Sequence, residues 1–343
     1  MTRPDPATEI RLLGIRTLRG ANFWSRWPVT RVDLGVGEYD EINSADVPGF
    51  TEALLGAFPG LVEHRCSVGE RGGFVTRLRE GTYAPHIMEH LALEFQTLVG
   101  HDVGYGRARG GDRPGEYTVV FEHLHAEVGV RVAGLALDTV QRAFAGSLGG
   151  VEHAVAELAA LAALPDVPPL RQRVLCGVTG AGDRAALCEE LRRDPAGGGE
   201  LVVEVAPAYL LAAGLPYASS RVAVILGSAL ADVPERYQDP ERAAQLVSVV
   251  ADALDPEGTV VVPAGEWEVQ RRVRDGGRRV AVFSTAVAVA EHDAELASEV
   301  AVVRDGRIAF GRDGSVEDGR ALRFDASPAV QVAAALALRS SSP

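Results

Sequence analysis

The chain has 343 residues, enough for two domains, and its 47% hydrophobic and 24% charged residues are typical of a globular protein. Its net charge of −13 argues against a basic nucleic-acid-binding face, and the absence of lysine excludes Schiff-base chemistry and a phosphate-loop lysine. There is no apolar run of 18 residues, no signal-peptide pattern and no disulfide framework among the three cysteines. We therefore expect a cytoplasmic protein that binds neither nucleic acid nor membrane.

The N-terminal half mixes helical and strand patterns, which predicts an α+β domain over residues 1–163. Hydrophobic periodicity and helix stop signals separate the two kinds of element. Glycines 72 and 73 predict a turn. Strands are predicted at residues 10–18, 29–34 and 117–124, and helices at residues 49–57, 82–99, 129–145 and 151–163.

The C-terminal half alternates short β-branched runs with helical stretches, which predicts a parallel α/β sheet over residues 171–343. Three prolines in residues 164–170 predict an extended linker before it. Residues 340–343 are predicted to be a frayed tail. The predicted strands are residues 173–178, 201–205, 222–226, 259–262, 280–283 and 300–303.

The most specific local motif is HxxEH at residues 86–90, in the predicted helix over 82–99. His86 and His90, at positions i and i+4, share one helical face and can bind one zinc ion. Glu89 points to the same face and is the candidate general base for the attacking water. This is the inverted zincin arrangement, on an arc opposite the apolar stripe of the helix.

A zinc site of this kind needs a third protein ligand. Glu94 is two helical turns from His86, about 12 Å along the axis, so the two side chains cannot easily reach one ion. Glu122 interrupts an apolar strand, where a charge calls for a partner. The other candidates are Glu127, His125 and His123.

A series of ordered stretches, residues 15–24, 47–50, 63–67, 71–74, 79–82, 86–94 and 103–107, is more specific than HxxEH alone. Through these stretches the first ~160 residues resemble the N-terminal domain of cyanophycin synthetases. That family joins Asp and Arg, with ATP, into a polymer with a poly-Asp backbone, and in some members the N-terminal domain cuts the polymer into primers. By position, the resemblance implies that His86, Glu89 and His90 form the hydrolytic site, and it favours Glu122 as the third ligand.

Residues 174–180, 204–206 and 214–217 are similar to the central domain of the Mur-ligase-like part of that family, but no ATP-grasp domain separates the halves. The phosphate loop, with Gly180 and Gly182, is degenerate. Arg184 replaces its lysine, Ala185 replaces the hydroxyl residue that would hold Mg²⁺, and Asp183 adds negative charge. We therefore expect a truncated Mur-ligase-like domain that does not use ATP.

Together these features predict a zinc-dependent amide hydrolase that acts on cyanophycin or a similar Asp/Arg-containing peptide. Arg19, Arg71 and Arg107 are candidates for binding substrate carboxylates. The alternative is a non-catalytic synthetase relative that binds the polymer or a partner, and the two hypotheses differ in metal content. A homo-oligomer is compatible with both, and an ATP-dependent ligase is the least favoured activity.

Overall fold

The computed structural model of the chain describes residues 3–193, 201–286, 297–312 and 315–341. It contains two compact units, one formed by Met1–Leu18 with Trp27–Pro169 and the other by Arg19–Arg26 with Leu170–Pro343. The short segment Arg19–Arg26 thus belongs to the C-terminal unit. Within the described residues, no helix is long and apolar enough to cross a membrane.

The N-terminal unit is built on a four-stranded antiparallel sheet with the strand order β1-β2-β4-β3. The predicted strands and helices of this half are present, with ends shifted by a few residues. The sequence patterns missed β3, α1 and α3. The elements are strands β1 (Arg11–Leu18), β2 (Val29–Gly35), β3 (Gly106–Gly110) and β4 (Glu116–Glu122), and helices α1 (Pro6–Glu9), α2 (Phe50–Ala57), α3 (Gly73–Glu80), α4 (Ala84–Leu98), α5 (Ala126–Phe144) and α6 (Glu152–Ala162).

Helix α4 lies in the middle of this unit, packed against α5, β3 and β4. Its apolar residues, such as Ile87 and Leu91, join the core. Its polar arc is buried as well: Glu89, His90 and Glu94 are each at most 9% exposed. The amphipathic pattern thus separates two buried faces. The polar face contacts polar partners instead of solvent, because buried charged groups need such partners.

The C-terminal unit is built on an eight-stranded sheet with the order β12-β11-β10-β9-β8-β7-β5-β6. Strands β5 to β10 pair in parallel, as predicted. Strands β11 and β12 extend the sheet as antiparallel strands, which the sequence patterns did not indicate. The strands are β5 (Arg173–Thr179), β6 (Val202–Glu204), β7 (Ser219–Ile225), β8 (Leu254–Pro263), β9 (Arg279–Ser284), β10 (Glu299–Arg304), β11 (Arg307–Arg312) and β12 (Ser315–Ala321).

Helices cover both faces of this sheet, which explains why its strands are nearly continuous apolar runs. In β7, Ala223 and Ile225 face one core, and Val222 and Val224 face the other. Residues 340 and 341, predicted as a frayed tail, end a helix, and residues 342–343 lie outside the described part. The helices are α7 (Arg184–Arg193), α8 (Pro207–Ala213), α9 (Pro240–Val247), α10 (Val249–Asp252), α11 (Trp267–Asp275) and α12 (Pro328–Ser341).

Candidate metal centre

Cys66, His86 and His90 form a group of side chains able to hold a metal ion, with their ligand atoms all within 4.8 Å of one another. The two histidines lie one turn apart on α4, and Cys66 begins a 3-10 turn, Cys66–Val68. The Sγ atom of Cys66 is 3.2 Å from Nε2 of His86. Thiolate sulfur and imidazole nitrogen are the donors that zinc prefers in proteins, so these residues fit a zinc ion.

Cys66 is held in an unusual backbone conformation, with φ of +53°. Glycine adopts this left-handed conformation readily, and Asn and Asp adopt it sometimes. Other residues rarely do, because their Cβ atom is crowded there. The surrounding fold must therefore supply the free energy that keeps Cys66 in place. Strain of this kind is common at functional sites, and here it is found at the residue whose thiol approaches His86.

Both imidazoles of α4 are in an environment that keeps them neutral. Burial lowers the pKa of His90 to about 2, and the neighbouring His86 and His64 contribute to this shift. Burial also lowers the pKa of His86, with a further contribution from Arg77. Only a neutral imidazole has a lone pair for a metal, so these rings are prepared for ligation at neutral pH.

A buried chain of hydrogen bonds fixes the tautomer of His90. Nδ1 of His90 is 2.8 Å from Nδ1 of His64, and Nε2 of His64 is 3.0 Å from the Glu94 carboxylate. A carboxylate only accepts, so His64 donates through Nε2 and accepts at Nδ1. His90 must then donate through Nδ1, and its Nε2 keeps the lone pair that a metal needs.

His86 and His90 are further positioned by Thr82 and Phe74. The Oγ1 atom of Thr82 is 2.8 Å from Nδ1 of His86, which leaves Nε2 of His86 to face Cys66. Phe74 stacks on His90 with ring centroids 3.8 Å apart and an interplanar angle of 20°. Phe74 reaches this place because α3 begins directly after Gly72, whose φ of +82° turns the chain. The glycine turn predicted from the sequence thus places Phe74 against His90.

Glu89 lies on the side of α4 that faces strand β3. Its carboxylate accepts a hydrogen bond from the backbone N–H of Ala108, and its side chain packs against Gly106. Burial raises the pKa of Glu89 to about 7, although the Ala108 N–H and the charge of Arg107 oppose this shift. A carboxyl group of this kind can exchange protons near neutral pH.

The structure places Glu122, the predicted third ligand, outside the group formed by Cys66, His86 and His90. It ends β4, and its carboxylate accepts hydrogen bonds from the backbone N–H groups of Tyr105, at 3.2 Å, and Gly104, at 3.5 Å. Among the described residues, Cys66 is the side chain grouped with the two imidazoles, and the assignment of Glu122 as third ligand stays a prediction.

The other third-ligand candidates also have different positions. His123 Nδ1 is 3.0 Å from Oγ1 of Thr30, and His125 caps the N terminus of α5, where its ring accepts from the N–H of Val128. Glu127 is exposed in the first turn of that helix. Glu94 is outside the metal group, and its carboxylate is 3.0 Å from Nε2 of His64.

The three arginines predicted to bind substrate have different surroundings. Arg71 forms an exposed bidentate ion pair with Glu63, Nε to Oε2 at 2.7 Å. Arg19 belongs to the C-terminal unit. Arg107 lies on β3, hydrogen-bonded to Tyr105 and near the Glu89 carboxylate, so of the three it has the clearest relation to the site.

In the C-terminal unit, the predicted phosphate loop follows β5 and leads into α7. Gly180 and Gly182 have φ of +96° and +138°, as a tight loop requires. Arg184 donates to the carbonyl of Gly180 at 2.6 Å and to Glu204 at 3.2 Å. Asp183 accepts from the N–H of Ala186 at 2.9 Å. A carboxylate of the chain thus occupies a helix N-terminal amide that could otherwise contact a phosphate.

Cys66 and His64 were not assigned roles from the sequence, and Glu94 was considered only as a third metal ligand. Cys66 and His64 both lie in the stretch 63–67, which was used only to support the family resemblance. A cysteine and a histidine two residues apart, next to a glycine turn and an HxxEH helix, were the available signal. Spacing alone could not show that a 3-10 turn brings them to α4.

Residues 31–145, which lie within the N-terminal unit, match the family model of the cyanophycin synthase-like N-terminal domain. Among curated relatives, the chain is 48% identical over 131 residues to the cyanophycin synthetase of Synechocystis sp.. It is 47% identical over 127 residues to that of Geminocystis herdmanii and 49% identical over 131 residues to that of Trichormus variabilis. These matches cover 36–37% of this chain but only 14–15% of the relatives.

Proposed function

We propose that the N-terminal unit is a zinc-dependent amide hydrolase that cleaves cyanophycin or a similar Asp/Arg-containing peptide. The observation that carries this proposal is the group of Cys66, His86 and His90, whose ligand atoms lie within 4.8 Å of one another. The buried Glu89 is on the same helix as the two histidines. The choice of substrate rests on the relatives, which are cyanophycin synthetases.

In this proposal Cys66, His86 and His90 hold the metal, and the remaining polar residues serve the reaction. Bound zinc supplies Lewis-acid activation of water and of the scissile carbonyl. Glu89 accepts the proton of the attacking water and passes it to the leaving amine, as in other HxxEH sites. The Ala108 N–H orients the Glu89 carboxylate, and Arg107 binds a carboxylate of the substrate.

The direct test combines metal analysis with a cleavage assay. Protein purified without chelator is expected to contain about one zinc ion per chain. Incubation with cyanophycin is expected to produce shorter chains, and removal of zinc is expected to stop the reaction. Protein that neither contains nor takes up zinc would instead favour the non-catalytic alternative, a protein that binds the polymer or a partner.

A first prediction concerns the hydrogen-bond chain behind His90. The His64→Gln variant is expected to bind zinc about 10- to 100-fold more weakly, because the Nδ1 proton of His90 loses its fixed acceptor. Zinc affinity would be measured by competition with a chromophoric chelator. His153→Gln is the matched control, since His153 lies on α6 with a side chain 90% exposed. Equal affinities of the two variants would show that His64 does not orient the ligand.

For the C-terminal unit we propose a Mur-ligase-like domain that has lost nucleotide chemistry and now has a structural role. No lysine is available to reach the β- and γ-phosphates, and Ala185 has no hydroxyl for Mg²⁺. Arg184 binds Gly180 and Glu204, and Asp183 caps α7. The side chains of Arg184 and Asp183 are thus bonded to groups of the protein itself.

A second prediction follows for ATP. Calorimetry with ATP and Mg²⁺ is expected to show no binding tighter than about 1 mM, because Asp183 adds a charge that repels phosphate and Arg184, in place of the lysine, is bonded to Gly180 and Glu204. A phosphate-release assay is expected to show no turnover above the protein-free background. Micromolar binding together with turnover would contradict the proposed loss of nucleotide chemistry and restore the ligase hypothesis.

A further inference from the structure

We propose that Arg77 binds a carboxylate of the substrate at the exposed side of the metal group, so that the site selects amides with a carboxylate close to the scissile bond. This inference rests on the proposed hydrolase function and adds a residue that determines its specificity. It depends on three observations: the metal group has one side toward solvent, Arg77 lies at that side, and no acidic residue of the described chain pairs with it.

The group of Cys66, His86 and His90 has a buried side and an exposed side. His90 is 5% exposed, and the ring of Phe74 stacks on it. Cys66 and His86 are half-buried, and Ser67, the next residue after Cys66, is exposed. A peptide that comes from solvent therefore meets the metal group over Cys66, Ser67 and His86.

Arg77 lies beside this exposed side. It is in α3, one turn after Phe74, so the two side chains share a face of the helix. Nη2 of Arg77 is 3.5 Å from Oγ of Ser67, and that Oγ is 3.7 Å from Sγ of Cys66. The charge of Arg77 also contributes to the lowered pKa of His86. The guanidinium group is thus two contacts away from a proposed metal ligand.

The guanidinium group of Arg77 is available for an anion. Arg77 is exposed, and in the part of the chain that the structure describes its hydrogen bond is to the neutral Ser67 hydroxyl and it forms no ion pair. Arg71, in contrast, is paired with Glu63. A guanidinium has five N–H donors, so a substrate carboxylate can bind Arg77 in bidentate fashion without displacing an acidic side chain.

The distances define which carboxylate can bind. An extended peptide advances about 3.5 Å per residue, so the two contacts between Arg77 and Cys66 span about two residues. The bound carboxylate therefore belongs to a residue at the scissile bond or close to it in the peptide. It is a side-chain carboxylate or the free C-terminal carboxylate, and the test separates these two sources.

The test uses the full chain with Glu89→Gln to prevent turnover, and binding is measured by calorimetry. One probe, hexa-aspartate blocked at both ends, has only side-chain carboxylates. The other, N-acetylated hexa-asparagine, has only a C-terminal carboxylate. Adding Arg77→Gln is expected to weaken the binding of at least one probe about 10-fold or more, and the affected probe identifies the source of the carboxylate. If neither probe binds, or if Arg77→Gln weakens the binding of neither, the proposal is wrong.

Arg79→Gln is the matched control, because Arg79 is an exposed arginine of the same helix, about 200° around its axis from Arg77. An equal loss of binding in the two variants would attribute the effect to net charge and overturn the proposal. Both variants are expected to keep their zinc, since both side chains are exposed. Loss of zinc in Arg77→Gln alone would show that Arg77 supports the metal group instead of the substrate.

Cleavage of cyanophycin by protein that retains Glu89 is scored separately. Arg77-dependent binding of a probe without cleavage rejects the hydrolase and retains the carboxylate site. Cleavage with a KM that Arg77→Gln leaves unchanged rejects only this role of Arg77.

Discussion

Replacing Glu89 with glutamine is expected to lower the rate of cyanophycin hydrolysis about 100- to 10,000-fold while the zinc content stays unchanged. Glutamine has nearly the shape of glutamate and can still accept the Ala108 N–H through its carbonyl oxygen, but it cannot take a proton from water. Because Glu89 is not among the residues that form the metal group, its replacement leaves Cys66, His86 and His90 in place. Cleavage is measured by release of short chains, and zinc by elemental analysis of the same sample.

A pair of glycine variants controls for the position of the carboxylate. Gly106→Ala is expected to displace Glu89 and lower activity, since the added Cβ would meet Glu89 at 2.7 Å. Gly110→Ala, on the same strand, adds a methyl group with no atom within 4 Å and is expected to behave like the unmodified protein. A Glu89→Gln protein with full turnover would show that another residue acts as the base.

Replacing Cys66 is expected to weaken zinc binding by on the order of 100-fold or more and to abolish hydrolysis, because a first ligand contributes more than the groups behind it. Cys66→Ser removes the thiolate. Cys66→Gly removes it and also fits the φ of +53° without steric strain. Zinc loss in both variants therefore identifies the sulfur, and not the backbone, as the cause.

Glu70→Gln serves as the control for the Cys66 variants, because Glu70 is an exposed residue four positions further along the same loop. A Cys66→Ser protein with unchanged zinc affinity would remove Cys66 from the ligand set. One other outcome would indicate a cysteine nucleophile instead of a metal ligand. If activity survives zinc removal but not Cys66→Ser, Cys66 acts as a nucleophile with His86, 3.2 Å away, as its base.

The sequence by itself determined the helix that carries the histidines and the general type of both units. The i, i+4 spacing of His86 and His90 fixes their relative position once residues 84–98 are helical, and helix formation there follows from local periodicity and from Pro85 in the first turn. The β-branched runs of the C-terminal half likewise led to its parallel strands, because strands buried on both faces are apolar throughout.

The tertiary structure decided which residues complete the site. Cys66 and His64 lie about 20 residues before α4 in the chain, and a 3-10 turn with a strained cysteine brings them to it, which no spacing rule expresses. Strand β3 contains two glycines, two arginines and one alanine, so it has no apolar alternation to reveal it. It forms because β4 supplies its hydrogen-bond partners, and through the Ala108 N–H it places a backbone donor at Glu89. Contacts between distant segments thus bring Cys66 to the two imidazoles and form the surroundings of Glu89.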